Sequence, residues 1–189
     1  MSEVIDHIKQ VIATAHCLFD KSAIAEAVRQ LAQQINHDYS DKNILLINVM
    51  NGGLILTSEL ALQLTIPCKL DYLHATRYRE ATKGDANLEW RAYPQNTLRD
   101  QHVIVVDDIY DQGYTLEAVV DYCRSQGALS VASVVLLEKK HELPTADYKP
   151  EYIGLQVDDY YVFGYGMDYK GYLRNANGVF AVDPALLSD

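Results

Sequence analysis

Several features that define common protein classes are scarce in this chain of 189 residues. Its three cysteines, Cys17, Cys68 and Cys123, are odd in number and widely spaced, so they form neither a disulfide framework nor a zinc-binding pattern. No apolar run approaches the roughly 20 residues of a membrane-spanning helix. The N-terminal segment also lacks the apolar core of a signal peptide. We therefore expect reduced thiols, no membrane partner and a cytoplasmic location.

Basic residues are also few, with 16 lysines and arginines against 26 acids and a formal net charge of -10. Nonspecific binding to nucleic acid needs a basic surface, so this composition argues against a nucleic-acid partner. It does not exclude a small anionic substrate, because a local site can be cationic or can carry Mg²⁺. The sequence has no Gly-x-x-x-x-Gly-Lys-Ser/Thr loop, which excludes the usual nucleoside triphosphatase cradle.

What the chain does contain is an alternation of apolar strands and amphipathic helices. Its composition, 49% hydrophobic and 22% charged, is typical of a globular protein. Apolar runs predict strands at residues 44–49, 69–76, 103–107 and 131–137. Helices are predicted at residues 21–37 with Asp20 or Ser22 as cap, at about 54–64, and from about 114 to a stop at Gly127. The alternation predicts an α/β fold, a doubly wound and mainly parallel sheet with helices on both faces.

The pattern changes after Pro150, where short segments rich in tyrosine and glycine follow. We expect these segments and the N-terminal segment to form a small cap over the carboxyl edge of the sheet. The prediction is one domain, with a core at about 40–148 and a cap from about 1–20 and 150–189. Residues at about 76–100 are polar and charged, which suits a mobile lid, a hairpin or a disordered loop.

The most informative segment is residues 103–116, VIVVDDIYDQGYTL. An apolar strand ends in Asp107 and Asp108, a polar loop with Asp111, Gly113 and Thr115 follows, and a helix begins at once. Open α/β sheets bind ligands at the carboxyl ends of their strands, and a helix N-terminus favours an anion. A solvated strand end with an Asp helix cap would share some of these residues, but the complete pattern is more specific. It predicts a substrate that brings both a phosphate and sugar hydroxyls.

This segment closely resembles the phosphoribosyl diphosphate (PRPP) signature of type I phosphoribosyltransferases. Residues 149–154, 161–169 and 172–174 are similar to the C-terminal half of the hypoxanthine-guanine phosphoribosyltransferases. The resemblance implies that Asp107 and Asp108 contact the ribose hydroxyls and that Asp111 is the general base or acid for purine N7. It also implies a set of residues that bind the ribose 5-phosphate: Asp111, Gln112, Gly113, Tyr114 and Thr115.

The resemblance further implies a pyrophosphate site and Mg²⁺ as cofactor. Pyrophosphate would bind the backbone amides of a loop, often one with a non-proline cis peptide, and an arginine: Asn51, Gly52, Gly53 and Arg174. Many relatives have a basic residue where this chain has Asn51, so here the charge of pyrophosphate is left to backbone amides, the metal and other cations. The metal would lie near Asp107, Asp108 and Asp168. On the lid, Arg77 and Tyr78 align with a Ser-Tyr pair of the family.

For the purine, Lys139 would donate to the 6-oxo group, with Lys140 as the alternative if the register slips. Because an ammonium cannot accept a hydrogen bond from a 6-amino group, Lys139 favours hypoxanthine and guanine over adenine. The other implied purine contacts are a stacking ring, two apolar walls and an acid at the base edge: Tyr161, Val162, Met167 and Asp168. Tyr160 replaces a frequent lysine of the family, which reduces cationic help near the base.

The expected function is purine salvage, with PRPP, hypoxanthine and guanine as the small-molecule partners. Two alternatives stay open on the same fold: a PRPP- or nucleotide-sensing regulator without catalysis, and a xanthine-preferring transferase. The presence of Asp111, Lys139 and Asp168 favours a catalyst. Since relatives are commonly dimers or tetramers, the resemblance implies a homodimer or homotetramer.

Overall fold

The computed structural model describes residues 2–77, 88–143 and 145–187. The described strands, in chain order, are β1 (His16–Asp20), β2 (Ile44–Val49), β3 (Cys68–Arg77), β4 (Leu88–Ala92), β5 (His102–Tyr110), β6 (Ser130–Lys140), β7 (Tyr152–Asp158), β8 (Val162–Phe163) and β9 (Gly178–Ala181). The described α-helices are α1 (Ser2–Thr14), α2 (Lys21–Asp38), α3 (Leu54–Ala61) and α4 (Tyr114–Ser125), and a short 3₁₀ helix covers Pro184–Leu186. None of these helices is long and apolar enough to cross a membrane.

The main sheet has six strands in the order β4-β3-β2-β5-β6-β7. Its pairs are parallel except for β3 with β4, which is antiparallel. A parallel sheet needs crossover helices that cover its faces, and the alternation of strands and helices in the sequence provides them. The predicted doubly wound, mainly parallel α/β fold is confirmed.

The two faces of the sheet form two separate cores, because successive side chains of a strand point to opposite faces. Leu46 of β2 packs with the apolar stripe of α2, which includes Val28 and Leu31, and with α3. Its neighbour Leu45 packs on the other face with α4, through residues such as Val119. The helix caps follow the prediction: the Asp20 side chain accepts from the N–H of Ala23 (2.8 Å), and Gly127 follows α4 with a φ of 85°.

A second sheet of three strands, in the order β1-β9-β8, joins segments from the two ends of the chain, and we name it the cap. Its residues pack with α1 in a core of their own, which contains Val11, Phe163, Tyr169 and Val182. The predicted boundary near residue 150 is wrong in one respect. β7 is a parallel neighbour of β6, with Val134 paired to Tyr152, so the main sheet extends beyond residue 148.

Two further strands are longer than predicted. β5 continues to Tyr110 because Asp107, Ile109 and Tyr110 keep their ladder positions opposite β6, so the acidic pair lies inside the strand rather than at its end. β6 likewise includes Lys139. In the segment predicted to be a lid, the described part is a hairpin in which Leu88 pairs with Arg77; Tyr78 lies outside the described residues, and the Arg77 side chain is not described.

Candidate active site

A cleft of about 530 Å³ opens at the carboxyl ends of β2, β5 and β6, below the cap. It brings together almost all of the site residues predicted from the sequence. These are Asn51, Gly52, Asp107, Asp108, Asp111, Gln112, Gly113, Tyr114, Thr115, Lys139, Tyr161, Val162, Met167, Asp168 and Arg174. Segments that are distant in the sequence therefore line one cleft. This agrees with the rule that open α/β sheets bind ligands at the carboxyl ends of their strands.

The loop between β5 and α4 has the features of an anion cradle. Gly113 has a left-handed φ of 83°, and a Cβ at this position would collide with the ring of Tyr110. Only glycine adopts this conformation readily and fits this space. The Tyr110 ring is itself fixed, since its hydroxyl donates to the carbonyl of Tyr148 at 2.9 Å. The N-terminus of α4, with its N–H groups and its dipole, thus lies at the cleft.

The acidic pair at the base of the cleft, Asp107 and Asp108, has carboxyl groups with raised pKa values. Burial and the negative charge of Asp108 raise the pKa of Asp107 well above its ordinary value. Burial also raises the pKa of Asp108, although the guanidinium of Arg174 opposes that shift. Two carboxylates that are this reluctant to ionise favour a cationic ligand, or hydroxyl groups that can donate to them.

Arg174 is the cation that holds this region together. Its Nη1 donates to the carbonyl of Gly166 (2.5 Å) and lies 3.8 Å from Oδ2 of Asp108, and its Nη2 donates to Oδ1 of Asp168 (2.5 Å). The other oxygen of Asp168 accepts from the N–H of Gly171 at 2.6 Å. Both oxygens of Asp168 therefore accept a hydrogen bond from the protein.

The loop after β2 packs directly against the acidic pair. The peptide between Met50 and Asn51 is cis, and a Cβ on Gly52 would overlap the carboxylate of Asp108. Gly166 closes the arrangement, because its own Cβ would meet the carbonyl of Gly52. Gly53, which was predicted to bind pyrophosphate, does not line the cleft. Its N–H donates to the carbonyl of Val49 at 3.0 Å as α3 begins, so it has no N–H to offer there.

Lys139 and Tyr161, both predicted to contact the purine, line the cleft. Lys139, with 14% of its side chain exposed, donates from Nζ to Oδ1 of Asp159 at 2.9 Å. Tyr161 is 44% exposed, and its ring meets that of Tyr169 edge-on at 5.6 Å. The Tyr169 hydroxyl lies 2.9 Å from Nε2 of His7 in α1, so the N-terminal helix helps to fix the exposed ring.

Sequence reasoning missed three polar partners of the predicted residues: Asp159, Tyr169 and His141. His141 lies beside Asp111, with 2.8 Å between Nε2 and Oδ1. The contacts of Asp159 with Lys139, of His141 with Asp111 and of Tyr169 with Tyr161 join residues 20, 30 and 8 positions apart. Single-sequence motifs carry no signal for such pairs. Only Tyr169, in the resemblance segment at residues 161–169, was within reach of the motif argument.

The predicted metal site is not a preformed cage. No group of three or more His, Cys, Asp or Glu side chains in the described ranges is arranged to hold a metal ion. Among the acids that line the cleft, Asp107 and Asp108 are adjacent on β5, with Asp108 buried and Asp107 half-buried. Mg²⁺ usually binds one or two carboxylates together with water and substrate phosphates, and this pair fits that mode.

Comparison with known proteins supports the resemblance that the sequence indicated. The hypoxanthine-guanine phosphoribosyltransferase of Bacillus subtilis is 27% identical over 169 residues, which are 89% of this chain and 93% of that protein. The enzyme of the same name from Streptococcus pneumoniae is 28% identical over 158 residues, 84% of this chain and 87% of that protein.

Solved structures share the fold. The crystal structure of a hypoxanthine phosphoribosyltransferase from Staphylococcus aureus superposes with a TM-score of 0.87 at 23% identity, covering 92% of this chain and 94% of that one. The hypoxanthine phosphoribosyltransferase of Trypanosoma cruzi, in complex with the product IMP, gives a TM-score of 0.84 at 22% identity, covering 91% and 95% of the two chains. Residues 15–170, most of the sequence, match the phosphoribosyl transferase domain. The chain therefore belongs to the phosphoribosyltransferase family.

Proposed function

We propose that this protein is a purine-salvage transferase that joins hypoxanthine or guanine to PRPP and yields IMP or GMP with pyrophosphate. One observation carries the proposal: the glycine-containing loop before α4, the acidic pair, a lysine and an exposed aromatic ring all line a single cleft. The names of the relatives from Bacillus subtilis and Streptococcus pneumoniae support it.

The sugar half of the site would bind PRPP and stabilise its reactive carbon. The 5-phosphate would rest on residues 111–115 at the start of α4, where backbone N–H groups favour an anion. Departure of pyrophosphate leaves an oxocarbenium-like ribose, and the carboxylates of Asp107 and Asp108 would stabilise its positive charge. Asp111 would exchange the purine proton, as a positioned carboxyl group can.

The base half would select a 6-oxopurine. The ammonium of Lys139 has three donors, and its bond to Asp159 uses one and fixes the direction of the others. A 6-oxo group would accept a hydrogen bond from one of these N–H groups. A 6-amino group would instead place its own N–H donor opposite the lysine. Tyr161 would cover one face of the base, with Val162 and Met167 as apolar walls and Asp168 at the base edge.

Mg²⁺ is the proposed cofactor, and when bound it would neutralise charge on pyrophosphate. Asp107 and Asp108 would hold it, because a divalent cation favours the ionised form of two carboxyls whose pKa values burial raises. Asn51 and Gly52 would contribute backbone groups to pyrophosphate, and Arg174 a positive charge.

The direct test is to incubate the protein with PRPP, Mg²⁺ and each of hypoxanthine, guanine, xanthine and adenine, and to follow nucleotide formation. Turnover of hypoxanthine or guanine is expected. Turnover of xanthine alone would replace the proposal by a xanthine-preferring transferase. PRPP binding by calorimetry without turnover of any base would replace it by a sensing regulator.

Matched variants separate the two halves of the site. Asp111→Asn should lower kcat far more than it weakens PRPP binding, whereas Asp121→Asn, which removes the same charge from an exposed position on α4, should leave both unchanged. Lys139→Met should weaken the binding of hypoxanthine and guanine, whereas Lys140→Met should not. The reverse order for the two lysines would make Lys140 the purine donor.

Three further properties belong to the proposal. The enzyme would work in the cytoplasm, in line with its unpaired Cys17, Cys68 and Cys123. It would act as a homodimer or homotetramer, which light scattering after size-exclusion chromatography would measure. The predicted lid at about 76–100 would cover the bound substrates, which would exclude water from the reactive centre.

A further inference from the structure

His141 and Asp111 occupy equivalent positions just beyond two neighbouring strands. Asp111 follows β5, and His141 follows β6, which pairs with β5 as far as Tyr110 and Glu138. The imidazole Nε2 lies 2.8 Å from Oδ1 of Asp111. The histidine side chain is 2% exposed and the aspartate side chain is 51% exposed. In this contact the histidine is therefore shielded from solvent, whereas the aspartate is accessible from the cleft.

The donor and the acceptor of this hydrogen bond can be assigned. The Nδ1 atom of His141 is buried and has no hydrogen-bond partner among the residues that the structure describes. A hydrogen on Nδ1 would be a buried donor without an acceptor, which is costly. The imidazole hydrogen accordingly lies on Nε2, and an ionised carboxylate can only accept. His141 thus donates to Asp111.

A second bond holds the same loop from the same side. The N–H of Ala146 donates to the carbonyl of Gln112 at 2.7 Å. The chain after β6 therefore contacts both the side chain of Asp111 and the backbone of the next residue. A half-exposed aspartate on a loop would otherwise exchange among several rotamers. Because these contacts order the Asp111 side chain before substrate binds, binding loses less conformational entropy.

We propose that His141 is a positioning residue for the reaction: its Nε2–H holds Oδ1 of Asp111 so that the second carboxylate oxygen faces the purine nitrogen. The proposal rests on the proposed function, in which Asp111 exchanges the purine proton. Proton transfer requires the carboxylate within hydrogen-bond reach in the correct orientation. A donor that fixes one oxygen therefore raises the fraction of bound complexes that can react.

The test compares His141→Leu and His141→Gln, each alone and combined with Asp111→Asn. Glutamine places an N–H near the position of Nε2, and leucine has a similar volume without a donor. The assay is the single-turnover rate of IMP formation, so that slow product release does not hide the chemical step. His141→Leu should reduce this rate about tenfold or more, with little change in KM for PRPP. His141→Gln should recover most of the rate, and Glu142→Gln, at the exposed next residue, should match the wild type.

The combined variants separate positioning from a structural role. If His141 acts through Asp111, His141→Leu should have almost no further effect in the Asp111→Asn background. Equal losses in both backgrounds, or a wild-type rate in His141→Leu, would overturn the proposal while leaving the transferase activity established. Failure of the wild type to turn over any base would instead overturn the proposed function.

A spectroscopic measurement covers the case in which the variants do not fold. Two-bond ¹H–¹⁵N spectra of the labelled wild-type protein report which imidazole nitrogen carries the hydrogen. The Nε2–H form is expected for His141. An Nδ1–H form in the wild-type protein would overturn the proposal independently of activity.

Discussion

Replacement of Arg174 by methionine should destabilise the protein and weaken PRPP binding. Methionine preserves the apolar stem but removes two hydrogen bonds, to Gly166 and Asp168, and the positive charge near Asp108. Hydrogen bonds that involve a charged group each contribute about 1.5–3 kcal/mol. Because a third of the Arg174 side chain is exposed, water recovers part of this loss, and we expect a net loss of about 2–3 kcal/mol.

The loss should depend on pH, and its sign follows from the acidic pair. The folded-state pKa values of Asp107 and Asp108 lie above their ordinary values, and removal of Arg174 raises both further. A carboxyl whose pKa is raised on folding binds more protons in the folded state. Stability therefore falls as pH rises above about 4, the unfolded pKa. The variant should lose more stability relative to the wild type at pH 8 than at pH 5.

Urea unfolding at both pH values, followed by the fluorescence of the single tryptophan, Trp90, measures this difference. For a chain of this length about 2–4 °C in Tm corresponds to each kcal/mol, so calorimetry should show a fall of roughly 4–12 °C. Arg29→Met, which removes an exposed ion pair on α2, is the matched control and should change Tm little. A loss that is larger at pH 5 than at pH 8 would refute the electrostatic reasoning.

Two more predictions test the phosphate loop and the purine slot. Gly113→Ala should cost at least about 1–2 kcal/mol in unfolding free energy, since its backbone is left-handed and the new Cβ meets Tyr110; unchanged stability and unchanged PRPP affinity would contradict this account of the loop. Tyr161→Ala should raise KM for hypoxanthine about tenfold, because base–aromatic stacking contributes about 1–3 kcal/mol, whereas Tyr161→Phe should keep the wild-type KM; equal effects of the two substitutions would exclude stacking.

Local signals predicted the elements that depend on local physics. Asp20 marked the start of α2 and Gly127 the end of α4, because caps and left-handed turns involve only nearby residues. Strand ends were harder, since the ladder with a neighbouring strand decides where a strand stops. That is why β5 carries the acidic pair inside it, against the prediction. The assignment of β7 to the cap failed because β7 pairs in parallel with β6, the preceding strand, and no local pattern shows which sheet a strand joins.

The site residues were predictable in identity but not in their pairing. The cleft contains Arg174 and Lys139, and motif reasoning treated both as free cations for substrate. In the structure Arg174 is bonded to Asp168 and Lys139 to Asp159. Pairs of this kind depend on the fold that brings chain segments together, which no spacing rule encodes.

This pairing changes the charge that an anionic substrate meets. Four acids and two bases line the cleft, so its formal charge is negative, and both bases already contact carboxylates. Asn51 adds no cation of its own. PRPP, with its phosphate and pyrophosphate groups, would therefore be repelled unless positive charge accompanies it or backbone dipoles offset the acids. The N-terminus of α4 and the amides beside Gly52 meet part of this need. Under the proposed function, a divalent cation that accompanies PRPP would supply the remaining positive charge.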